Sequence, residues 1–314
     1  MNHPEWWSWA GRIDEGDGDA SRRWHQVVQP WEAGSTPGVV FLGLASDEGV
    51  RRNQGRVGAA AGPRALRAAM SNLSASHQIG LYDIGDVACV GNELETAQAL
   101  YAGRAAQLLK DGNTVIGLGG GHEIAWASVS GLTKSGVVKP QSRLGILNLD
   151  AHFDLRKDEI ATSGTSFRQA LERAPVLDIE VDYRVLGISE ASNTTALFLA
   201  ARQFGVTWKA DDQMALPDLG LRMSELEAWL ADLDCLYLTI CLDVLPASLA
   251  PGVSAPAARG VSLEVIEPII AAAAKSGKLR VADVAELCPR LDIDDRTARV
   301  AARLIWRLVR ELGG

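Results

Sequence analysis

The sequence predicts an α/β protein, a three-layer α/β/α sandwich around a mostly parallel sheet of about eight strands. Three observations carry this expectation. Short apolar runs recur along the chain, and most are near-continuous rather than alternating, the mark of strands covered on both faces. Stretches of helical periodicity fall between many of them, and strands alternating with helices form a mainly parallel sheet with helices on both sides. Residues able to do chemistry gather directly after strand candidates, where open α/β sheets place their ligands.

The 314 residues can bury a sizeable core. A hydrophobic fraction of 47% with 22% charged residues is ordinary for a globular protein. The formal net charge of −8 argues against nucleic acid or an anionic membrane as partner. Cys89, Cys235, Cys241 and Cys288 form no C-x-x-C pair, so neither a zinc knuckle nor a disulfide framework is expected. The N-terminus lacks the charged and apolar regions of a signal peptide, and no apolar run approaches the length of a membrane span. The expectation is a cytoplasmic protein with a small-molecule substrate.

Residues 1–37 read as a tryptophan-rich arm, with Trp6, Trp7, Trp9, Trp24 and Trp31 among Gly, Asp and Arg. Such amphipathic aromatics suit a segment lying over the domain or a neighbouring subunit, or ordinary N-terminal packing. Residues 38–314 read as one domain, without repeat or linker. Strand candidates are Gly38–Gly43, Ile79–Tyr82, Thr114–Leu118, Leu144–Leu149, Tyr183–Ile188, Phe204–Trp208, Cys235–Leu242 and Leu279–Ala285. Pro63 opens a helix running through Met70, at a first-turn position proline tolerates. Glu93 to Lys110 is amphipathic. Ser224-Glu225-Leu226-Glu227 reads as a capping box before Trp229 and Leu230. Ser262 to Lys275 is alanine-rich, with Pro268 placed to break or kink it. Asp295 to Leu312 closes the chain, with Val300, Leu304, Leu308 and Leu312 on one face.

The chemistry centres on Asn148-Leu149-Asp150-Ala151-His152-Phe153-Asp154. In extended chain, alternate side chains share a face, so Asp150, His152 and Asp154 can point into one site. Two carboxylates and an imidazole suit a hard divalent ion such as Mn²⁺ better than a thiolate site does. The alternative is a polar turn after a strand. Gly119-Gly120-Gly121-His122-Glu123, Asp243 and Glu286 also follow strand candidates, and four such strand ends argue against accident. The glycine triplet has neither dinucleotide-binding spacing nor a P-loop lysine, so it reads as a close backbone approach that aims His122. Asp243 closes an apolar strand and needs a partner, which a metal ion would supply. The segment Thr162 to Gln169 offers hydroxyls and Arg168, whose fork matches a carboxylate. Its alternative is an exposed arginine at a helix start.

Together these residues resemble the ureohydrolases, the arginase/agmatinase superfamily. The resemblance rests on Gly119-Gly120-Gly121-His122, Asp150-Ala151-His152-Phe153-Asp154 and Cys241-Leu242-Asp243, and covers nearly all of the chain after residue 40. It implies an arginase-like fold, a homo-oligomer, and a site of two Mn²⁺ ions that activates hydroxide to attack a guanidine or amidine carbon. The implied ligands are His122, Asp150, His152, Asp154, Cys241 and Asp243. Further stretches resemble the formimidoylglutamase branch, which serves histidine degradation: Asp47 to Asn53 with Gly55 to Gly58, Ser163 to Gln169, Asp243 to Gly260, and Asp283 to Leu287. That branch implies hydrolysis of N-formimidoyl-L-glutamate to L-glutamate and formamide. Glu286 then receives the cationic amidine, Asn53, Arg56, Thr165 and Arg168 are candidates for the glutamate part, and Asp154 and Asp243 for proton transfer.

Two positions depart from the family pattern. Phe167 stands near the place of a proton-transferring histidine, which fits an amidine better than arginine. Cys241 stands where the family has an aspartate bridging both metals. A thiolate is softer and offers one donor atom, so the expectation is weakened binding of at least one ion, a shift to a softer ion, or a damaged site. Two rival readings therefore stay open: a guanidino-compound hydrolase of the agmatinase kind, which would release urea, and a non-catalytic homologue.

Overall fold

The computed structural model describes residue 4 and residues 7–16, 18–76 and 78–313. Trp6 lies outside the described residues. Nine strands form one sheet: β1 (Gln29–Pro30), β2 (Val39–Ala45), β3 (Leu81–Ala88), β4 (Thr114–Gly119), β5 (Arg143–Leu149), β6 (Glu180–Ile188), β7 (Thr207–Ala210), β8 (Cys235–Cys241) and β9 (Leu279–Ala285). Their order is β1-β3-β2-β4-β9-β8-β5-β6-β7, and every neighbouring pair is parallel. Eight of the nine correspond to the predicted runs. The additional strand, β1, has two residues, too few to leave a periodic signal.

The helices are α1 (Trp24–Val27), α2 (Glu48–Arg52), α3 (Gly62–Met70), α4 (Leu94–Lys110), α5 (Ile124–Lys134), α6 (Ser166–Arg173), α7 (Thr195–Gln203), α8 (Leu219–Ala231), α9 (Leu263–Lys275) and α10 (Arg296–Leu312). Alternate strand residues feed two cores. Val39, Phe41, Ile116, Leu118, Leu147, Leu149, Leu238 and Ile240 pack with α3, α8, α9 and α10. Val40, Leu42, Leu44, Val115, Leu144, Ile146 and Tyr237 pack with α4, α5, α6 and α7. Burial on both faces is why these strands read as continuous apolar runs. No helix among the described residues is long and apolar enough to cross a membrane.

Local readings are corrected in three places. Ser224 does not cap a helix: α8 starts at Leu219, and the Ser224 hydroxyl donates to the Gly220 carbonyl one turn back. The helix start was hidden because Asp218, its N-cap residue, makes no side-chain cap bond. Pro268 does not break its helix, and α9 runs through it from Leu263 to Lys275. Phe204 belongs to the end of α7 rather than to a strand, and β7 begins at Thr207.

Described residues before position 38 pack onto the sheet. Trp9 and Trp24 are buried in the first core and lie against Phe41. β1 pairs in parallel with the edge of β3.

Candidate active site

The sheet order places β4, β9, β8 and β5 side by side. Their register aligns Leu118 with Val284, Cys241 with Ala285, and Leu149 with Ile240. The residues following these strands therefore emerge level with one another. One cavity of about 210 Å³ opens there, lined by His122, Asp150, His152, Asp154, Cys241, Asp243 and Glu286 together with Asn53, Arg156 and Ser163.

His122 reaches the cavity through the glycine turn after β4. A Cβ on Gly120 would collide with the Ser46 carbonyl oxygen, so the backbone passes only as glycine. Glu286 is fastened to the same turn: its amide donates to Gly120 O at 2.8 Å, and its Oε1 accepts the His122 amide at 2.8 Å. On the far side of the imidazole, Nε2 lies 3.0 Å from Thr239 Oγ1. Phe167 meets the ring edge-on at 5.4 Å between centroids and stacks on Tyr183. The position near which the family pattern carries a proton-transferring histidine is thus part of an apolar wall.

Asp150 is fully buried and accepts the His152 amide at 2.7 Å and the Asn148 side-chain amide at 3.1 Å. His152 Nδ1 lies 3.1 Å from Asp243 Oδ2 and 3.5 Å from Asp150 Oδ1. Ligand atoms of His122, Asp150 and Cys241 lie within 4.8 Å of one another, and so do those of Asp150, His152 and Asp243. The two trios share Asp150. His122 Nδ1 sits 3.0 Å from Asp150 Oδ2 and 2.9 Å from Asp154 Oδ2, yet this buried nitrogen makes no aligned hydrogen bond. Ligand atoms close together but not aimed at each other are what a common cation would organise. On this ground the residues fit a pair of divalent ions.

Charge is concentrated here. Burial alone would lower both histidines, but Asp150 and Asp154 raise His122 well above its ordinary range, and Asp243 and Asp150 raise His152 to about 12. Burial raises Asp154, with the Asp150 charge adding to it. Burial, then the charges of Glu123 and Asp243, push Glu286 up to about 8. Glu286 therefore gains from any cation brought beside it.

The other candidates divide. Asn53 lines the cavity, and its side-chain amide donates to Ser163 Oγ at 3.2 Å. Arg56 does not: its guanidinium donates to the carbonyls of Ser254 and Val253 and is spent on holding that loop. Thr165 Oγ1 donates to Thr162 O and accepts the Thr162 amide, serving its own turn. Arg168 pairs with Glu172 and lies over the Phe204 ring, and with Thr165 it lines a neighbouring cleft. Of Arg56, Arg156 and Arg168, Arg156 alone lines the cavity; it is exposed, it also lines the neighbouring cleft, and among the described residues nothing forms a hydrogen bond or ion pair with its guanidinium. Its signal was present in the sequence. Asp150, His152, Asp154 and Arg156 continue one alternating series.

The model of the arginase family matches residues 37–310. The chain is 53% identical over 305 residues to the formimidoylglutamase of Ralstonia nicotianae, covering 96% of this chain and 94% of that one. The crystal structure of formimidoylglutamase from Bacillus subtilis superposes with a TM-score of 0.83 at 23% identity, covering 96% of this chain and 94% of that one. The structure of Trypanosoma cruzi formiminoglutamase with two Mn²⁺ ions gives a TM-score of 0.77 at 24% identity, covering 90% and 96%.

Proposed function

The chain belongs to the arginase family, and from that premise we propose that it hydrolyses N-formimidoyl-L-glutamate to L-glutamate and formamide, an amidine-cleaving step of histidine degradation. The observation that carries this reading is the near-full-length match to the Ralstonia relative. The convergence of four strand ends on one acidic cavity supplies the chemistry.

Two divalent ions, manganese by analogy with the T. cruzi protein, would be held here, one by His122, Asp150 and Cys241 with Asp154 beside His122, and one by Asp150, His152 and Asp243. Bound there, such ions lower the pKa of water and offset charge building up on the attacked group. The protein's side chains do the rest. Glu286 receives the amidinium N–H groups through charge-assisted hydrogen bonds and turns the formimidoyl carbon toward the ligand cluster. Water adds to that carbon, the bond to the glutamate nitrogen breaks, and formamide keeps the imino nitrogen and the water oxygen. Asp154 and Asp243 carry the proton from water to the departing amine. Arg156, with Asn53, holds the glutamate carboxylates at the mouth, the role first expected of Arg56, Thr165 and Arg168. The reading includes a homo-oligomer, as the family resemblance implies, and a cytoplasmic location, as expected from the lack of signal-peptide features and of a membrane-length apolar run.

The test is product identification with the purified protein and Mn²⁺. Formamide from formimidoylglutamate is the expected result. Urea from a guanidino compound without formamide would establish the agmatinase-like alternative, and neither product from a protein that takes up no metal from excess Mn²⁺ would favour a non-catalytic homologue.

A further inference from the structure

The two ligand trios are not alike. The first joins His122, Asp150 and Cys241, all buried, and presents one nitrogen, one oxygen and one sulfur. The second joins Asp150, His152 and Asp243, presents nitrogen and oxygen only, and is complete without the cysteine. Asp150 is the single group common to both. Cys241 offers one donor atom where a carboxylate would offer two, and the geometry brings that atom to the His122 trio.

We propose that Cys241 is a thiolate ligand of the ion held by His122 and Asp150, and that this position prefers a borderline-soft divalent ion to Mn²⁺ while the His152 position keeps hard-donor character. The proposal rests on the metal reading above and deepens it. A cysteine alone would not make a site, but the His122 Nδ1 beside it is an independent sign of a ligand. His122 is 2% exposed, and this nitrogen has no aligned hydrogen bond, although two carboxylates stand within 3.0 Å. Among the described residues nothing hydrogen-bonds the Cys241 sulfur either, and the residue is 1% exposed. A sulfur held among carboxylates with no protein partner is compatible with a cation at that point. On binding, the thiol releases its proton to solvent and the sulfur lone pair forms the metal bond, with no change of oxidation state. Mn²⁺ is the weakest binder of the divalent first-row series, and a soft donor widens its disadvantage against Co²⁺ or Zn²⁺.

The experiment uses the full chain, stripped of metal and titrated with Co²⁺ alone, for wild type, Cys241→Ser and Cys241→Asp. The expected result is a near-ultraviolet thiolate-to-cobalt charge-transfer band in the wild type. It saturates with one of the two equivalents bound and is missing from both variants, which still take up Co²⁺. In competition, Cys241→Asp should shift the preference at that position toward Mn²⁺ by on the order of tenfold or more, since even groups behind the ligands move affinity that much. The wild-type band is read on the native protein, so a variant that fails to fold leaves the main test intact. Two bound Co²⁺ ions without the band, or equal Mn²⁺/Co²⁺ preference in wild type and Cys241→Asp, would overturn the thiolate assignment and leave the hydrolase reading standing. A wild-type protein that takes up neither ion overturns the metal reading with it, and formamide release reports separately on the reaction.

Discussion

Two cavity residues adopt left-handed backbone, Asp154 at φ 49° and Glu286 at φ 73°. Aspartate visits that region readily, but a glutamate there carries a cost of about 1–3 kcal/mol. The bond from the Glu286 amide to Gly120 O and the bond from the His122 amide to Glu286 Oε1 offset it, so the strain aims the carboxylate rather than loosening it. Behind the ligands, Asp283 is fully buried and accepts hydrogen bonds from Ser128 at 2.6 Å and Tyr237 at 2.7 Å. Burial raises its pKa, against the lowering effect of Ser128, Thr239 and Tyr237. The unfolded chain then ionises this group at a lower pH than the folded protein does. Stability is therefore fully present below the ordinary aspartate range and declines as pH rises through the raised folded value. Asp283→Asn keeps an oxygen acceptor but abolishes the ionisation. Relative to wild type it should gain stability as pH increases from 4 to 8, measured by urea denaturation at each pH. A difference independent of pH would show that burial does not raise the Asp283 pKa in the folded protein.

The arrangement of strands and helices explains both the legible and the illegible parts of the chain. β2, β4, β5, β8 and β9 are central, buried on both faces, and stood out as apolar runs. β3 lies near the edge and alternates buried with less buried residues, and polar Asp83 and Asp86 interrupt its pattern. Its boundary was therefore misread at Tyr82. Asp83 is nonetheless wholly buried, accepting Arg67 Nε at 2.6 Å from α3, Trp9 Nε1 at 2.7 Å from the N-terminal segment, and the Gly85 amide at 2.8 Å. One carboxylate thus ties β3 to α3 and to the segment crossing its edge. Asp83→Ala leaves the Arg67 guanidinium buried without that partner and should cost about 3–5 kcal/mol. Chemical denaturation measures this directly. A loss below about 1 kcal/mol, the scale of an exposed pair, would mean that Arg67 finds compensation in Asp86 alone.

At the largest scale, charge is sorted by depth. The cavity carries Asp150, Asp154, Asp243 and Glu286, and exposed Arg156 also lines it, its guanidinium without a hydrogen-bond or ion-pair partner among the described residues. An acidic cavity suits metal ions and a cationic amidine, and the arginine suits the two carboxylates at the other end of the substrate. Arg156→Ala should raise KM for formimidoylglutamate by roughly ten- to hundredfold, the worth of one charge-assisted hydrogen bond pair. It should leave kcat within a few-fold, because the contact is made equally in ground and transition states. A kcat loss with KM unchanged would instead place Arg156 at the reacting centre. The sequence alone was enough for the α/β class, the central strands and the Asp150, His152, Asp154 cluster, because burial periodicity and ligand spacing are local properties of the chain. It could not show that β4, β9, β8 and β5 stand adjacent and in register, since strand order follows from crossovers between segments far apart in the chain. Nor could it separate Arg156 from Arg56 and Arg168. All three are arginines near the same motifs, and what distinguishes Arg156 is that it lines the cavity and its guanidinium has no partner among the described residues.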